Sequence, residues 1–546
     1  YMDTVSRTIA AIVQDLYSLE VQVGLERPDP QFGDYATNIA LQLAGRVGKT
    51  PREIATEIAQ KLEDTGEFAT VSVAGPGFIN ITLGPEALLA LTRVDPVQIR
   101  AREQTVIETN NPNPFKAMHI GHGFNAILGD TIANLLAVSG ARVHRVSYHG
   151  DVGLHVGKSM YSLLNYACGD VANIEQIPEA ERNAFMSKMY AEGSRAYKNS
   201  DEAKAEITTL TEQSFTPGEE LYGKIYELCK AWSFEQIDAT MKRLGNVPVE
   251  RRFLESAADA CGVETVRANV PTVFQESEGA LVFKGSEHGA FDNVFVARSG
   301  RGLYAARDLG LMLLKDEAYS PVHSYIVTAE EQRDYFKGVI AAAGLVWPDK
   351  KDVTVNISTG TVKLSTGKMS SRDGDVVEIA WLFDEFAKAI EARGAHATDD
   401  IVAGALRYQF LKVKIGSDIV FDVNEAVSLT GNTGSYLQYA HARARSILTK
   451  VSATFVYPTE VRSEDRALVR KLGEYSEVVT VATRQLEPHH ICNYLFELAQ
   501  EFNRYYEKNQ VVGNEHEQRR AGLVALYADT VKAGLTILGI EAPEKM

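Results

Sequence analysis

NPNPFKAMHIGHG, residues 111–123, crowds two prolines, two asparagines and two histidines into thirteen positions, and its neighbours decide what they serve. Upstream, QTVIETN (104–110) is β-branched before it turns polar, which reads as a buried strand running into a loop. Pro112 and Pro114 hold that loop extended. Downstream, FNAILGDTIANLLAVSG (124–140) spaces its apolar residues as a helix does and stops at Gly140, a C-terminal cap. His119 and His122 therefore stand where a strand hands over to a helix N-terminus. Free N–H groups and the positive end of the helix dipole make an anion site there, with phosphate the usual guest.

Three readings of the pair compete. Zinc needs three or four ligands, but there is no His-Glu-x-x-His and no cysteine nearby to complete a set. Two capping or buried histidines are the plainest reading, and so short a stretch does not exclude it. In a nucleotide site the imidazoles would contact phosphates, and Gly121, lacking a Cβ, would let a flat adenine approach the backbone.

Composition narrows the classes. A chain of 546 residues has room for several domains with sizeable cores. Hydrophobic content of 45% and charged content of 23% are those of a soluble globular protein. No apolar run is long enough to span a membrane, and the first twenty residues are amphipathic and acidic rather than signal-like, so a cytoplasmic protein is expected. Four scattered cysteines (Cys168, Cys229, Cys261, Cys492) suggest neither a disulfide framework nor a metal knuckle. The net charge of −16 argues at first against nucleic acid. However, residues 431–546 carry 14 basic and 14 acidic residues, so the whole excess lies elsewhere. Binding a phosphate backbone needs local basic patches, not a basic total.

Along the chain, residues 1–95 read as a small α/β unit: a first helix, two more with Pro51 opening the second, then two short strands joined by Gly-Pro-Gly. Residues 100–360 alternate strand and helix as a Rossmann-like parallel sheet does, interrupted by an insertion over about 159–290. Residues 361–430 are a loop and helical connection, and 431–546 are all-helical. The fold class expected is multidomain α/β.

A second loop, LSTGKMSSRDGD (364–375), sets Lys368 and Arg372 among glycines and small hydroxyls. Most such segments are solvated turns; the functional alternative is a basic loop that closes over phosphates. HIGH at His119–His122 with KMSSR at Lys368–Arg372 resembles the two signatures of class I aminoacyl-tRNA synthetases. VIETNNPNPFKAMHIGH, GLYAARDLG, GNTGSYLQYAHARARSIL and LTILGIEAPEKM resemble the arginyl-tRNA synthetase family, and QFGDYATNIALQLA with GPGFINITL its N-terminal domain. The likeness runs in order through the chain.

The resemblance implies arginine activation by ATP, with Mg2+, to arginyl-adenylate and pyrophosphate, then transfer to the 2′-hydroxyl of the terminal adenosine of tRNA-Arg. It implies that His119, Gly121, His122, Lys368, Met369 and Ser370 bind ATP. The family's loop usually carries a further lysine where Ser371 stands; Lys116, just before the histidines, would compensate alongside Arg372. Asp308 would take the guanidinium with Glu108 and Tyr304 assisting, while Asn113, Gln332 and His119 hold the remainder of arginine. Residues 1–95 would bind the tRNA elbow through Phe78 and Asn80. The C-terminal domain would read the anticodon through Tyr436, Tyr439, Arg443, Tyr505, Tyr506 and Met546. A monomer without tightly held metal is expected. The alternatives are a non-catalytic tRNA-binding relative and a zinc hydrolase built on His119, His122 and His149.

Overall fold

The computed structural model describes residues 2–93, 95–96, 98–365, 377–451 and 454–546. Near the N-terminus, helices Met2–Tyr17, Ile39–Val47 and Pro51–Asp64 accompany strands β1 (Tyr35–Thr37), β2 (Thr70–Ala74) and β3 (Phe78–Thr82). The strands form an antiparallel sheet in the order β1-β3-β2. Thr50 and Glu53 cap Pro51–Asp64 reciprocally, with Pro51 in the first turn, so the sequence fixes where that helix begins.

The central layer is a five-stranded sheet of β4 (Gln104–Asn110), β5 (Arg142–His149), β6 (Arg251–Leu254), β10 (His323–Ala329) and β11 (Thr354–Thr359). Its order is β6-β5-β4-β10-β11 and every pairing is parallel. The order reverses between β4 and β10, and ligands of such sheets bind at that point, beyond the C-terminal strand ends. The helix Ile120–Val138 lies on β4. A Cβ at Gly129 would sit 3.0 Å from Thr109 Cα, so glycine permits that close approach.

The excursion expected over 159–290 is in fact two. Helices Leu154–Ala167, Arg182–Asn199, Asp201–Gln213 and Leu221–Arg243 leave the sheet after β5 and build a separate small core around Met160, Leu163 and Trp232. The chain then returns to the sheet as β6, inside the expected insertion. It leaves again through helix Glu255–Ala268 and an antiparallel sheet of β7 (Phe274–Ser277), β8 (Ala280–Phe283) and β9 (Asn293–Val296), then enters helix Tyr304–Tyr319.

Beyond the core, β12 (Val362–Leu364) pairs with β13 (Ile419–Phe421), and helices Ile379–Glu391 and Asp399–Leu411 lie between them in sequence. Helices Gly434–Leu448, Arg466–Leu472, Tyr475–Gln485, His489–Lys508 and Glu517–Ile537 complete the chain. Arg407, fully buried, joins the parts: its guanidinium donates to Leu538 O (2.8 Å), Leu244 O (3.0 Å), Asn246 Oδ1 (2.8 Å) and Asp130 Oδ2 (2.9 Å). The N-terminal unit is tied to the C-terminal helices by Arg27 with Glu477 (2.9 Å) and by Asp34 with Arg466 (2.6 Å). Among the described residues no helix is long and apolar enough to cross a membrane.

Candidate active site

The loop leaving β4 is built from its own polar side chains. Asn111 Oδ1 accepts from Tyr148 N (2.9 Å) and Asn113 Oδ1 from Gly150 N (2.9 Å), stitching the loop to the end of β5. Phe115 is buried, stacked on Tyr226 and held at φ 63°, a conformation a bulky residue adopts only under strain of about 1–3 kcal/mol. Lys116 follows it, exposed and without an ion pair among the described residues.

His119 is the N-cap residue of helix Ile120–Val138 and His122 occupies its first turn. Their rings stack with centroids 3.6 Å apart. Burial, aided by Lys116, pushes His119 down to about 4; burial, His119 and Lys116 push His122 down to about 3. Both are neutral at pH 7. The His119 amide donates to His122 Nδ1 (3.3 Å), so the proton of neutral His122 sits on Nε2, a hydrogen-bond donor. A Cβ on Gly121 would lie 3.1 Å from two atoms of the His119 ring, so this glycine makes room for its neighbour's imidazole. His149, by contrast, is buried with Nδ1 bonded to Pro112 O (2.5 Å) and Nε2 to Ser147 Oγ (2.8 Å). It does not converge with the other two, and among the described residues no three His, Cys, Asp or Glu side chains converge to hold a metal.

Lys368, Met369, Ser370 and Arg372 lie outside the described residues, but both flanks of their segment are placed. β12 ends two residues before 366. On the far side, Ile120 N donates to Val377 O (2.8 Å) and Ile379 N to Met118 O (3.1 Å). The chain thus re-enters hydrogen-bonded to the histidine segment itself.

A second cluster gathers on helix Tyr304–Tyr319. Arg307 does not pair with its neighbour Asp308; it reaches Glu255 (3.0 Å) and Asp259 (3.0 Å) instead. Asp308 has no ion pair among the described residues, and its one hydrogen bond comes from Tyr335 Oη (2.5 Å). Burial pushes its carboxyl up to about 7, with Glu108 and Glu255 adding to the rise and the Tyr335 bond and Lys315 opposing it. Glu108 is itself buried against Lys315 (2.7 Å) and accepts from Asn111 Nδ2 (2.6 Å). Tyr304 is exposed one helical turn before Asp308, and Gln332 is exposed at the turn leaving β10. Sequence reasoning missed Tyr335, Lys315 and the buried hydroxyl of Tyr148, which has no hydrogen-bond partner among the described residues. The only available signal was the place of Tyr335, three residues after Gln332.

On the C-terminal helices, Tyr439 and Arg443 are exposed one turn apart, and the Arg443 guanidinium lies over the Tyr506 ring at 5.2 Å. Tyr436 is half-buried and accepts from Asn503 (2.8 Å), and Met546 is exposed. Tyr505 does not belong on this surface. It is buried in the helical core with its hydroxyl on Asp465 (3.2 Å), because it continues the stripe Ile491, Leu495, Leu498, Phe502. Asn80 is likewise nearly buried at the centre of β3, whereas Phe78 stays partly open at its start.

The chain was compared with known proteins. The family model described as tRNA synthetases class I (R), catalytic domain, matches residues 85–421. Those for the arginyl tRNA synthetase N terminal domain and the DALR anticodon binding domain match 3–83 and 437–546. An arginine–tRNA ligase of Thermobifida fusca is 30% identical over 94% of each chain, and one of Porphyromonas gingivalis 26% identical over 100% of both. In fold, the chain is similar to the arginyl-tRNA synthetase of Thermus thermophilus, with a TM-score of 0.82 at 24% identity over 100% of both chains. The likeness to that of Plasmodium falciparum has a TM-score of 0.80 at 18% identity, over 100% of this chain and 99% of the other.

Proposed function

The chain belongs to the arginyl-tRNA synthetase family of class I, which joins arginine to tRNA using ATP, and we propose how its side chains divide that work. Arginine's carboxylate attacks the α-phosphorus of ATP. A phosphorus–oxygen bond forms there as the one to pyrophosphate breaks, leaving arginyl-adenylate. The 2′-hydroxyl of the tRNA's terminal adenosine then attacks the arginyl carbonyl carbon and AMP departs. In phosphoryl transfer the protein's share is positioning and charge stabilisation.

The histidine corner serves the phosphates. Because both rings are neutral, His119 and His122 supply directed N–H donors rather than charge. Positive charge comes from Lys116, beside them and without an ion pair among the described residues, and from Lys368 and Arg372 in the segment whose far flank is bonded to Met118 and Ile120. By the family resemblance Met369 and Ser370 would bind the nucleotide with them. Mg2+ arrives on the phosphates of ATP.

Asp308 serves arginine. A guanidinium offers paired N–H donors that fit a carboxylate fork. What carries this reading is that Asp308, half-buried in the field of two further carboxylates, has no ion pair among the described residues, while Arg307 is committed elsewhere. Glu108 adds its field from behind, Tyr304 covers the rim, and Asn113 and Gln332 take the α-amino and carboxylate end.

tRNA lies along Phe78 on the N-terminal unit and Tyr436, Tyr439, Arg443 and Tyr506 on the C-terminal helices, where aromatic faces and a cation suit unpaired bases. β13, paired with β12 at the base of the 366–376 segment, leads within a dozen residues into helix Gly434–Leu448. tRNA on that helix therefore bears on the loop, and activation waits for it. Arginine-dependent pyrophosphate exchange tests this: negligible without tRNA, robust with it. Rapid exchange in tRNA-free enzyme removes the coupling and leaves ligation standing.

A further inference from the structure

Among the described residues the Asp308 carboxyl keeps one hydrogen bond, from Tyr335 Oη to its Oδ2. Tyr335 stands in the first turn of helix Arg333–Val346, which follows β10 directly through the turn Glu330–Gln332. Its ring meets Phe336 edge-on at 5.1 Å, so the phenol is braced by the core of its own helix. The hydroxyl thus belongs to a different element from the carboxyl it holds, and to the one that also carries Gln332.

We propose that Tyr335 is a positioning residue for arginine: its hydroxyl fixes the rotamer of Asp308, leaves Oδ1 and the second lone pair of Oδ2 for the guanidinium, and favours the charged carboxylate. This rests on Asp308 being the guanidinium's partner. Every other group facing Asp308 is accounted for. Glu108 on β4 and Glu255 on helix Glu255–Ala268 disfavour its charge. Lys315, two turns along its own helix, favours charge but is bound to Glu108. Arg307 is held by Glu255 and Asp259. Tyr148 on β5 has a buried hydroxyl with no bond to Asp308. Tyr335 is therefore the one hydrogen-bond donor Asp308 has among the described residues. Hydrogen bonding to a charged form favours that form, so without Tyr335 the carboxyl, already up to about 7, must rise further.

The test compares Tyr335→Phe, Asp308→Asn and the parent by arginine-dependent pyrophosphate exchange with tRNA present, from pH 6 to 9.5, with thermal melting alongside. The parent's arginine kcat/KM should fall on the acid side around pH 7. In Tyr335→Phe that limb should move up by about one pH unit, a loss of about tenfold at pH 6 that closes to within about twofold at pH 9.5. The KM for ATP should not change. A limb that stays in place, or an equal loss at every pH, overturns the proposal. If Asp308→Asn keeps its arginine kcat/KM, the reading of Asp308 fails and this one with it. If Asp308→Asn loses it while the limb of Tyr335→Phe stays put, only the role of Tyr335 fails.

Discussion

Asp130, fully buried, and Asp308, half-buried, are two aspartates that the chain treats in opposite ways. Asp130, in the joint between helix Ile120–Val138 and the C-terminal helices, receives Arg407 (2.9 Å), Arg145 (3.3 Å) and the Val247 amide (3.2 Å). Asp308, in the crevice, receives one phenol, although an arginine adjoins it in sequence. Removing charge from water is costly unless a partner replaces the solvent. At Asp130 the fold supplies the partner, and the aspartate belongs to the structure. At Asp308 the cation adjacent in sequence pairs instead with Glu255 and Asp259, which leaves Asp308 without an ion pair among the described residues; in the proposed function its partner comes from outside.

The largest expected effect breaks the open site. Asp308→Asn keeps the shape but removes the charge facing a buried guanidinium, a loss of roughly 3–5 kcal/mol. Arginine kcat/KM should then fall about two to four orders of magnitude with ATP kinetics little changed; a fall below about tenfold rejects the assignment. Stability should move the other way. The folded carboxyl lies near 7 against an ordinary 3.8, so between those values the folded state holds a proton that the unfolded state has lost, and stability falls as pH rises through that window. Asp308→Asn should therefore raise Tm more at pH 8 than at pH 5.

Arg407→Met asks the opposite of the closed site. It leaves buried Asp130 with only Arg145 and the Val247 amide among the described residues, so unfolding free energy should drop by roughly 3–5 kcal/mol, seen as a large fall in Tm. The KM for arginine of the enzyme that remains folded should match the parent. A specific rise in that KM with unchanged Tm would erase the contrast between the two aspartates. His122→Ala sharpens it within the crevice: activation should slow by about two to three orders of magnitude, as when one oriented donor is lost, with Tm hardly moved. Loss of fold in step with activity would return His122 to plain helix capping. Arg443→Ala is the smallest, weakening tRNA binding and flattening its salt dependence by about one unit of slope. An unchanged slope removes Arg443 from the tRNA surface.

What the sequence discloses follows the same division. The junction around His119 is legible because a β-branched run, two prolines and a helical period occupy one contiguous stretch. β6 is not, since Arg-Arg-Phe-Leu is four residues long with two charges and gains its place only from β5. The burial of Tyr505 follows the helical spacing from Ile491 to Phe502, whereas an aromatic-rich helix end taken by itself reads as an exposed stacking surface. The state of Asp308 could not be read at all. It depends on Glu255 and Asp259, about fifty positions upstream of Arg307, drawing that guanidinium away. Pairing across the fold, rather than local pattern, decides which charge is left over.

That leftover charge is most directly tested by protons. If Asp308 rests near 7 and must ionise to hold the guanidinium, arginine binding at pH 6 should release about one proton, fading toward none by pH 9. Calorimetry of arginine binding to the tRNA-bound enzyme, in buffers of differing ionisation enthalpy, measures this number. The account predicts near-complete release at pH 6 in the parent and none in Asp308→Asn. Equal values for the two proteins at pH 6 would contradict it.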